Sequence, residues 1–212
     1  MRLYTYFRSS AAYRVRIALN LKGIAAESVP VNLRSGEQHA DAFQHVNPFA
    51  LVPALEHDGR LLTQSVAIIE YLEDIQPLPA LLPAAAADRA FVRGIALGIA
   101  CDIHPLNNLR VLEYLSAELK VESAQREQWY AHWIAAGFAP LELLLSRDAR
   151  VGAFCCGDAP TLADVCLVPQ VYNARRMRCD LAPYPTLRRL AAHAEAHPAF
   201  AAAHPDRQPD AA

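Results

Sequence analysis

The chain has 212 residues, 53% of them hydrophobic and 20% charged, with a formal net charge of -2. That balance describes a globular protein with an ample core and room for one large domain or two small ones. It gives no electrostatic footprint for nucleic acid or an anionic membrane, and no apolar run has the form of a signal peptide or the ~18 residues of a membrane span.

In chain order, Arg2–Tyr6 reads as a strand, followed by the polar turn Arg8-Ser9-Ser10 and a helix that begins near Ala12, spans Tyr13–Lys22 and is ended by Gly23. Glu27–Asn32 reads as a strand and Glu37–Val46 as a short helix. Ala54–Glu56 and Leu61–Thr63 form a hairpin around Asp58-Gly59, and Val66–Ile75 is a helix with Ser65 as its N-cap. Pro77-Leu-Pro-Ala-Leu-Leu-Pro83 cannot continue a helix or a central strand, which makes it a linker between a domain over 1–80 and a second over 84–212.

Beyond the linker, alanine- and leucine-rich stretches with helical spacing cover 88–119, 123–145, 162–177 and 185–196, the pattern of an all-helical bundle. Thr161 and Asp164 have capping-box spacing ahead of an apolar run, a structural element. The tail from His204 is expected to fray. The five cysteines are odd in number and lack Cys-x-x-Cys spacing, so neither a disulfide framework nor a metal site is expected, and a reduced cytoplasmic compartment is.

Three polar segments of the first half can carry chemistry. Arg8-Ser9-Ser10 places hydroxyls, backbone N–H groups and a fixed positive charge at a helix N-terminus, which suits a single organic anion such as a thiolate or carboxylate. The same residues also serve as an ordinary cap with Arg8 solvated. Pro53 opens a strand, and a cis Val52–Pro53 bond would leave the Val52 N–H and carbonyl free to pair with a peptide ligand, whereas a trans proline at a sheet edge is the commoner state. Gln64-Ser65, at the N-terminus of another helix, forms a nest for an α-carboxylate or a cap alone.

In the second half, His104 and Asn108 stand four apart on one face of a helix that Pro105 kinks. Arg110, Arg175 and Arg176 add positive charge, and periodicity does not say which of the last two faces a cleft. Trp129 and Trp133 read as packing residues, and the Cys155-Cys156 pair as a bystander.

The order of these segments resembles that of glutathione transferases: a thioredoxin-like α/β domain, a linker and a helical second domain. Within that family, Tyr6-Phe7-Arg8-Ser9-Ser10-Ala11-Ala12-Tyr13-Arg14-Val15-Arg16 is similar to the signature of the zeta class, the maleylacetoacetate isomerases. So are Asn47-Pro48 with Leu51-Val52-Pro53-Ala54-Leu55, Gln64-Ser65-Val66-Ala67-Ile68-Ile69-Glu70-Tyr71-Leu72-Glu73, and Asp102-Ile103-His104-Pro105-Leu106-Asn107-Asn108-Leu109-Arg110-Val111-Leu112. The family signature usually reads Ser-Ser-Cys. Ala11 in the third position leaves the turn without a protein thiol and puts the nucleophilic burden on glutathione.

The resemblance implies glutathione as cofactor, with Ser9 donating to its sulfur beside Ser10, Val52 and Pro53 meeting its cysteinyl backbone, and Gln64 and Ser65 holding the γ-glutamyl end. Gln38 is implied for the glycyl carboxylate. The implied substrate is a small dicarboxylate clamped by Arg8 and Arg176, with His104 or Asn108 stabilising charge that develops on it. A homodimer is the family expectation. Conversion of maleylacetoacetate to fumarylacetoacetate in tyrosine and phenylalanine breakdown is the activity implied. Maleylpyruvate isomerase, a conjugating transferase or haloacid dehalogenase, and a non-catalytic glutathione-binding module are the alternatives.

Overall fold

The computed structural model describes residues 1–211. Two compact units divide the chain: Met1–Leu81 together with the residues from Ala196 onward, and Leu82–Glu195. The segment expected to form one helical domain over 84–212 is therefore split near its end.

In the first unit, β1 (Arg2–Thr5) pairs parallel with β2 (Glu27–Pro30) and antiparallel with β3 (Ala54–His57), and β3 pairs with β4 (Arg60–Thr63). The sheet order is β2-β1-β3-β4, a thioredoxin-like mixed sheet. The β3–β4 hairpin turns at Asp58-Gly59, both at positive φ, which is where glycine removes the penalty of the left-handed turn. Helix α1 (Ser10–Lys22) packs on α3 (Ser65–Ile75). α1 is buried along almost its whole length, with Ala12, Tyr13, Val15, Ile17, Ala18 and Leu19 in the core beside Leu3, Leu55, Ile68 and Leu72. Gly23 ends it in the left-handed conformation, with the Ile24 N–H returning to the Leu19 carbonyl.

The helix expected over 37–46 is shorter and broken, a 3-10 turn at Glu37–His39 and α2 at Asp41–Gln44. The linker is anchored to this unit from within α1. Lys22 Nζ is buried, forms an ion pair with Glu73 at 2.6 Å and donates to the carbonyls of Gln76 and Pro79.

The tail does not fray. Helix α9 (Pro198–Ala203) packs on α1, Pro205 is buried, and two further 3-10 turns run through Pro209–Ala211. The second unit holds α4 (Ala86–Leu97), α5 (Leu109–Ala117), α6 (Ser123–Arg147), α7 (Leu162–Arg176) and α8 (Pro185–Glu195). Between α4 and α5 the continuous helix expected over 88–119 is interrupted by a π-helical segment, Gly98–Ile103, and a 3-10 turn, His104–Asn107. Pro105 lacks an N–H and cannot continue an α-helical ladder, so the break falls where the sequence placed a kink.

The expected capping box is present: Asp164 accepts from the Thr161 N–H and hydroxyl at 2.8 Å each, and its other oxygen accepts from the Cys155 N–H. Among the described residues no helix is long and apolar enough to cross a membrane.

Candidate functional site

The turn between β1 and α1 is built from inside the first unit. Arg16, buried in α1, donates to the Tyr6 carbonyl at 3.3 Å, the Phe7 carbonyl at 2.9 Å and the Thr5 hydroxyl at 3.0 Å, and its Nε reaches the Ala203 carbonyl of α9. One guanidinium thus satisfies the carbonyls that the end of β1 leaves without a ladder partner. Asp210 in the tail accepts the Phe7 N–H at 2.8 Å. The turn is therefore clamped on its carbonyl side by Arg16 and on an amide by Asp210.

From this frame Ser9 takes extended backbone angles as the N-cap of α1, and its Oγ accepts the Ala12 N–H at 3.2 Å. The helix starts at Ser10, earlier than the expected start near Ala12, and Ser10 is its buried first residue. Arg8 is exposed, stacks on the Phe7 ring 4.9 Å from its centroid and makes no ion pair among the described residues. It lines a cavity of about 620 Å³ together with Tyr6, Phe7, Asn32, Arg34 and Asp210.

Ser65 is the first residue of α3 and not its cap; Gln64 occupies the cap position without a side-chain bond. Gln64 holds φ 68° and ψ 116°, a left-handed conformation that costs a non-glycine residue about 1–3 kcal/mol and collects at ligand sites. Ser65 is buried and accepts from Arg14 Nη1 at 3.2 Å. Neither α1 nor α3 has an acidic residue in its first turn, a feature they share with α5, α6, α8 and α9. The N-terminal partial charges of α1 and α3 are thus not offset by a first-turn carboxylate of their own.

Val52–Pro53 is cis, and β3 begins one residue later, at Ala54, so Pro53 precedes the strand instead of opening it. Among the described residues neither the Val52 N–H nor its carbonyl has a partner within the chain. The loop that presents them is braced by buried Asn47, which donates to the Leu51 carbonyl at 2.7 Å and accepts the Phe49 N–H. Val52 packs in one cluster with Tyr6, Val31 and Phe43, which draws the β1–α1 turn, the α2 region and the cis-proline loop together. Gln38, in the turn before α2, is buried, and among the described residues its Oε1 has no partner, an acceptor awaiting a donor. Free backbone groups, an orphaned buried amide and two uncompensated helix N-termini fit a peptide-like anion with more than one carboxylate.

In the second unit His104 and Asn108 do not share a continuous helix face as expected. His104 opens the 3-10 turn, and Asn108 is the N-cap of α5. Their side chains nevertheless meet, Asn108 Nδ2 lying 3.2 Å from His104 Nε2. Trp129 donates to the Leu106 carbonyl and Asn107 to the Tyr130 carbonyl, which fixes this turn on α6. Burial pushes the Tyr130 phenol up to about 12.

The two arginines at the end of α7 are distinguished by their partners. Arg175 is spent on Glu195 at 2.6 and 2.8 Å, while Arg176, also exposed, makes no ion pair among the described residues. Burial raises the thiols of Cys155, Cys156 and Cys179, which disfavours each as a thiolate nucleophile.

Arg14, Arg16 and Asp210 brace these segments and have no role in the sequence reading. Both arginines lie in the signature segment and inside an otherwise apolar helix, whereas Asp210 has no signal in the sequence.

The family model described as glutathione S-transferase, N-terminal domain, matches residues 1–74. A probable maleylacetoacetate isomerase of Vibrio cholerae is 52% identical, over 99% of this chain and 97% of its own length. The holo structure of a bacterial maleyl pyruvate isomerase, described as a zeta-class glutathione S-transferase, matches with TM-score 0.98 and 48% identity over 100% of both chains. A maleylacetoacetate isomerase from Methylobacterium extorquens AM1, solved with bound malonate and glutathione, matches with TM-score 0.97 and 42% identity over 100% of both chains.

Proposed function

Because this chain belongs to the glutathione S-transferase family, in its zeta class, we propose that it is a glutathione-dependent cis–trans isomerase that converts maleylacetoacetate to fumarylacetoacetate. The observation that carries the reading is the β1–α1 turn, where Ser9 caps a thirteen-residue helix free of first-turn acids and Arg8 stands beside it with no ion pair among the described residues. Glutathione, when bound, supplies a thiolate that adds reversibly to the cis double bond and leaves it free to rotate.

The chain's own residues hold that anion and the substrate. The Ser9 hydroxyl and the N-terminus of α1 favour the ionised thiol, which at an ordinary pKa near ~8.5 is mostly protonated at neutral pH. The unpartnered Val52 N–H and carbonyl pair with the cysteinyl backbone in the manner of strand addition. Gln64, Ser65 and the N-terminus of α3 hold the γ-glutamyl end, and buried Gln38 the glycyl end.

Arg8 and Arg176 are assigned to the substrate carboxylates, and Arg176 is preferred to Arg175 because the latter is committed to Glu195. His104 is assigned to charge that develops on the substrate. With Ala11 in the turn, no protein thiol stands beside Ser9 and Ser10, and the sulfur of the reaction is that of glutathione. Maleylpyruvate is a second reading of the substrate, supported by the likeness to the maleyl pyruvate isomerase over the whole chain. A homodimer working in the reduced cytoplasm completes the proposal.

The test is a glutathione-dependent isomerisation assay on both cis acids with the native chain, Ser9→Ala and Arg176→Ala. Turnover of neither acid overturns the activity. Full activity of Ser9→Ala overturns the role of its hydroxyl, and an unchanged KM in Arg176→Ala overturns the clamp.

A further inference from the structure

We infer that Arg34 is a substrate-binding residue that shares with Arg8 one carboxylate of an organic diacid, in a cavity lined by the first unit alone. The purpose of that grip rests on the isomerase reading; the anion site itself does not.

Four charged residues line the cavity of about 620 Å³: Arg8, Arg34, Glu37 and Asp210. Its carboxylates are spent on the chain. Asp210 accepts the Phe7 N–H at 2.8 Å, and Glu37 accepts the Asn32 N–H at 2.7 Å and the Ser35 hydroxyl at 3.3 Å. Its guanidiniums are not. Among the described residues neither Arg8 nor Arg34 forms an ion pair or donates a side-chain hydrogen bond. Each guanidinium carries its N–H donors in a planar fork that matches the two oxygens of a carboxylate. A cavity whose acceptors are occupied and whose donors are open selects an anion.

Both cations stand on fixed backbone. Arg8 follows Phe7, whose N–H is held by Asp210 and whose carbonyl is held by Arg16. Its guanidinium lies over the Phe7 ring, which meets Tyr6 edge-on with centroids 4.9 Å apart. Arg34 stands in a turn closed by Asn32, whose Oδ1 accepts the N–H groups of Arg34 and Ser35 at 3.0 and 3.3 Å. A ligand loses less to ordering when the backbone beneath its partners is already set. Tyr6, Phe7 and Pro30 give the same cavity an apolar wall for a carbon chain.

None of the residues assigned to glutathione lines this cavity, so its anion is the other acid of the reaction. Two guanidiniums on one carboxylate discriminate it from an ester or amide of the same shape, because an uncharged end leaves both cations unmatched. Arg34 thereby deepens the role given to Arg8. The carboxylate taken in the first unit is gripped twice, and the other is left to Arg176.

The test begins without glutathione. Protein labelled with 15N at arginine Nε is titrated with succinate, with its monomethyl ester, and with sodium chloride at matched ionic strength. The Arg8 and Arg34 signals are assigned by their loss in Arg8→Gln and Arg34→Gln. Both signals are expected to shift at one midpoint under succinate and under the ester, which keeps a single carboxylate, and to stay in place under chloride. Arg34→Gln should raise the midpoint read at Arg8 about tenfold, and Arg34→Lys by less, since it keeps the charge without the fork. With glutathione and the cis acid, Arg34→Gln should raise KM about tenfold and lower kcat less.

An Arg34 signal that ignores succinate, or one that moves equally under chloride, overturns the inference. Separate midpoints for the two arginines overturn the sharing of one carboxylate. A shift of Arg34 by S-methylglutathione alone overturns it too, by giving the cavity to glutathione. Weakened succinate binding with an unchanged KM overturns the assignment to the substrate. Succinate held as expected by a chain that isomerises neither acid supports the anion site and overturns the isomerase reading instead.

Discussion

Arg14 Nη1 donates to the Ser65 hydroxyl at 3.2 Å, buried and across 51 residues of sequence. The bond ties the middle of α1, whose N-terminus is assigned to the glutathione sulfur, to the first residue of α3, assigned to the γ-glutamyl end. Ser65→Ala removes an acceptor from a buried guanidinium and is expected to cost about 1–3 kcal/mol of stability. It should also weaken glutathione binding. Thermal unfolding and calorimetric titration measure the two, and a double-mutant cycle with Arg14→Ala should show coupling; simple additivity would mean the bond contributes nothing.

Ser9 has two jobs that substitution can separate. Ser9→Ala loses the cap of α1, at about 0.5–2 kcal/mol, together with the donor to the thiolate. Ser9→Asp keeps an acceptor for the Ala12 N–H, so stability should stay near native while a carboxylate opposes the bound thiolate. The ultraviolet absorbance of the thiolate against pH should then show the bound thiol titrating higher in Ser9→Asp than in the native chain.

Asp210 fixes the turn from the far end of the chain by accepting the Phe7 N–H. Asp210→Ala is expected to destabilise the protein by only about 1 kcal/mol, since the carboxylate is partly exposed. The larger effect should fall on kcat/KM, through a looser Arg8. Asp210→Asn, which keeps an oxygen acceptor, should recover much of that loss, and equal losses in both variants would show that charge rather than the bond matters.

Gly137 is the place where α6 approaches the π-helical segment. Gly137→Ala forces Ile103 to move, and overpacking of this kind costs about 1–3 kcal/mol. Because His104 is the next residue, activity should fall further than stability predicts, and a crystal structure of the variant would show the displaced turn.

Acid stability has a nameable contributor. Hydrogen bonds from Arg150 hold the Asp148 carboxyl down at about 2, against an ordinary 3.8. A depressed folded-state pKa gives stability that is present above the unfolded value and lost as the pH falls through the folded one. The difference in unfolding midpoint between the native chain and Asp148→Asn should therefore be constant above about pH 5, shrink between about pH 4 and 2, and vanish below. A gap that persists at about pH 1 would assign the effect to packing.

The Asp58-Gly59 turn, the Thr161–Asp164 box and the Gly23 stop were legible in the sequence because each is a local rule, satisfied within a few residues by backbone geometry and one side chain. The family was legible for a related reason, since its signature segments stand in a fixed order along the chain. What the tertiary structure alone decided are the long-range polar contacts: Arg14 on Ser65, Arg16 on the carbonyls of the turn, Asp210 on Phe7, and Arg175 committed to Glu195. Hydrophobic spacing says which face of a helix is covered but not which distant oxygen will meet a buried guanidinium. That pairing is set by the requirement that every buried polar group find a partner, a condition imposed on the folded chain as a whole.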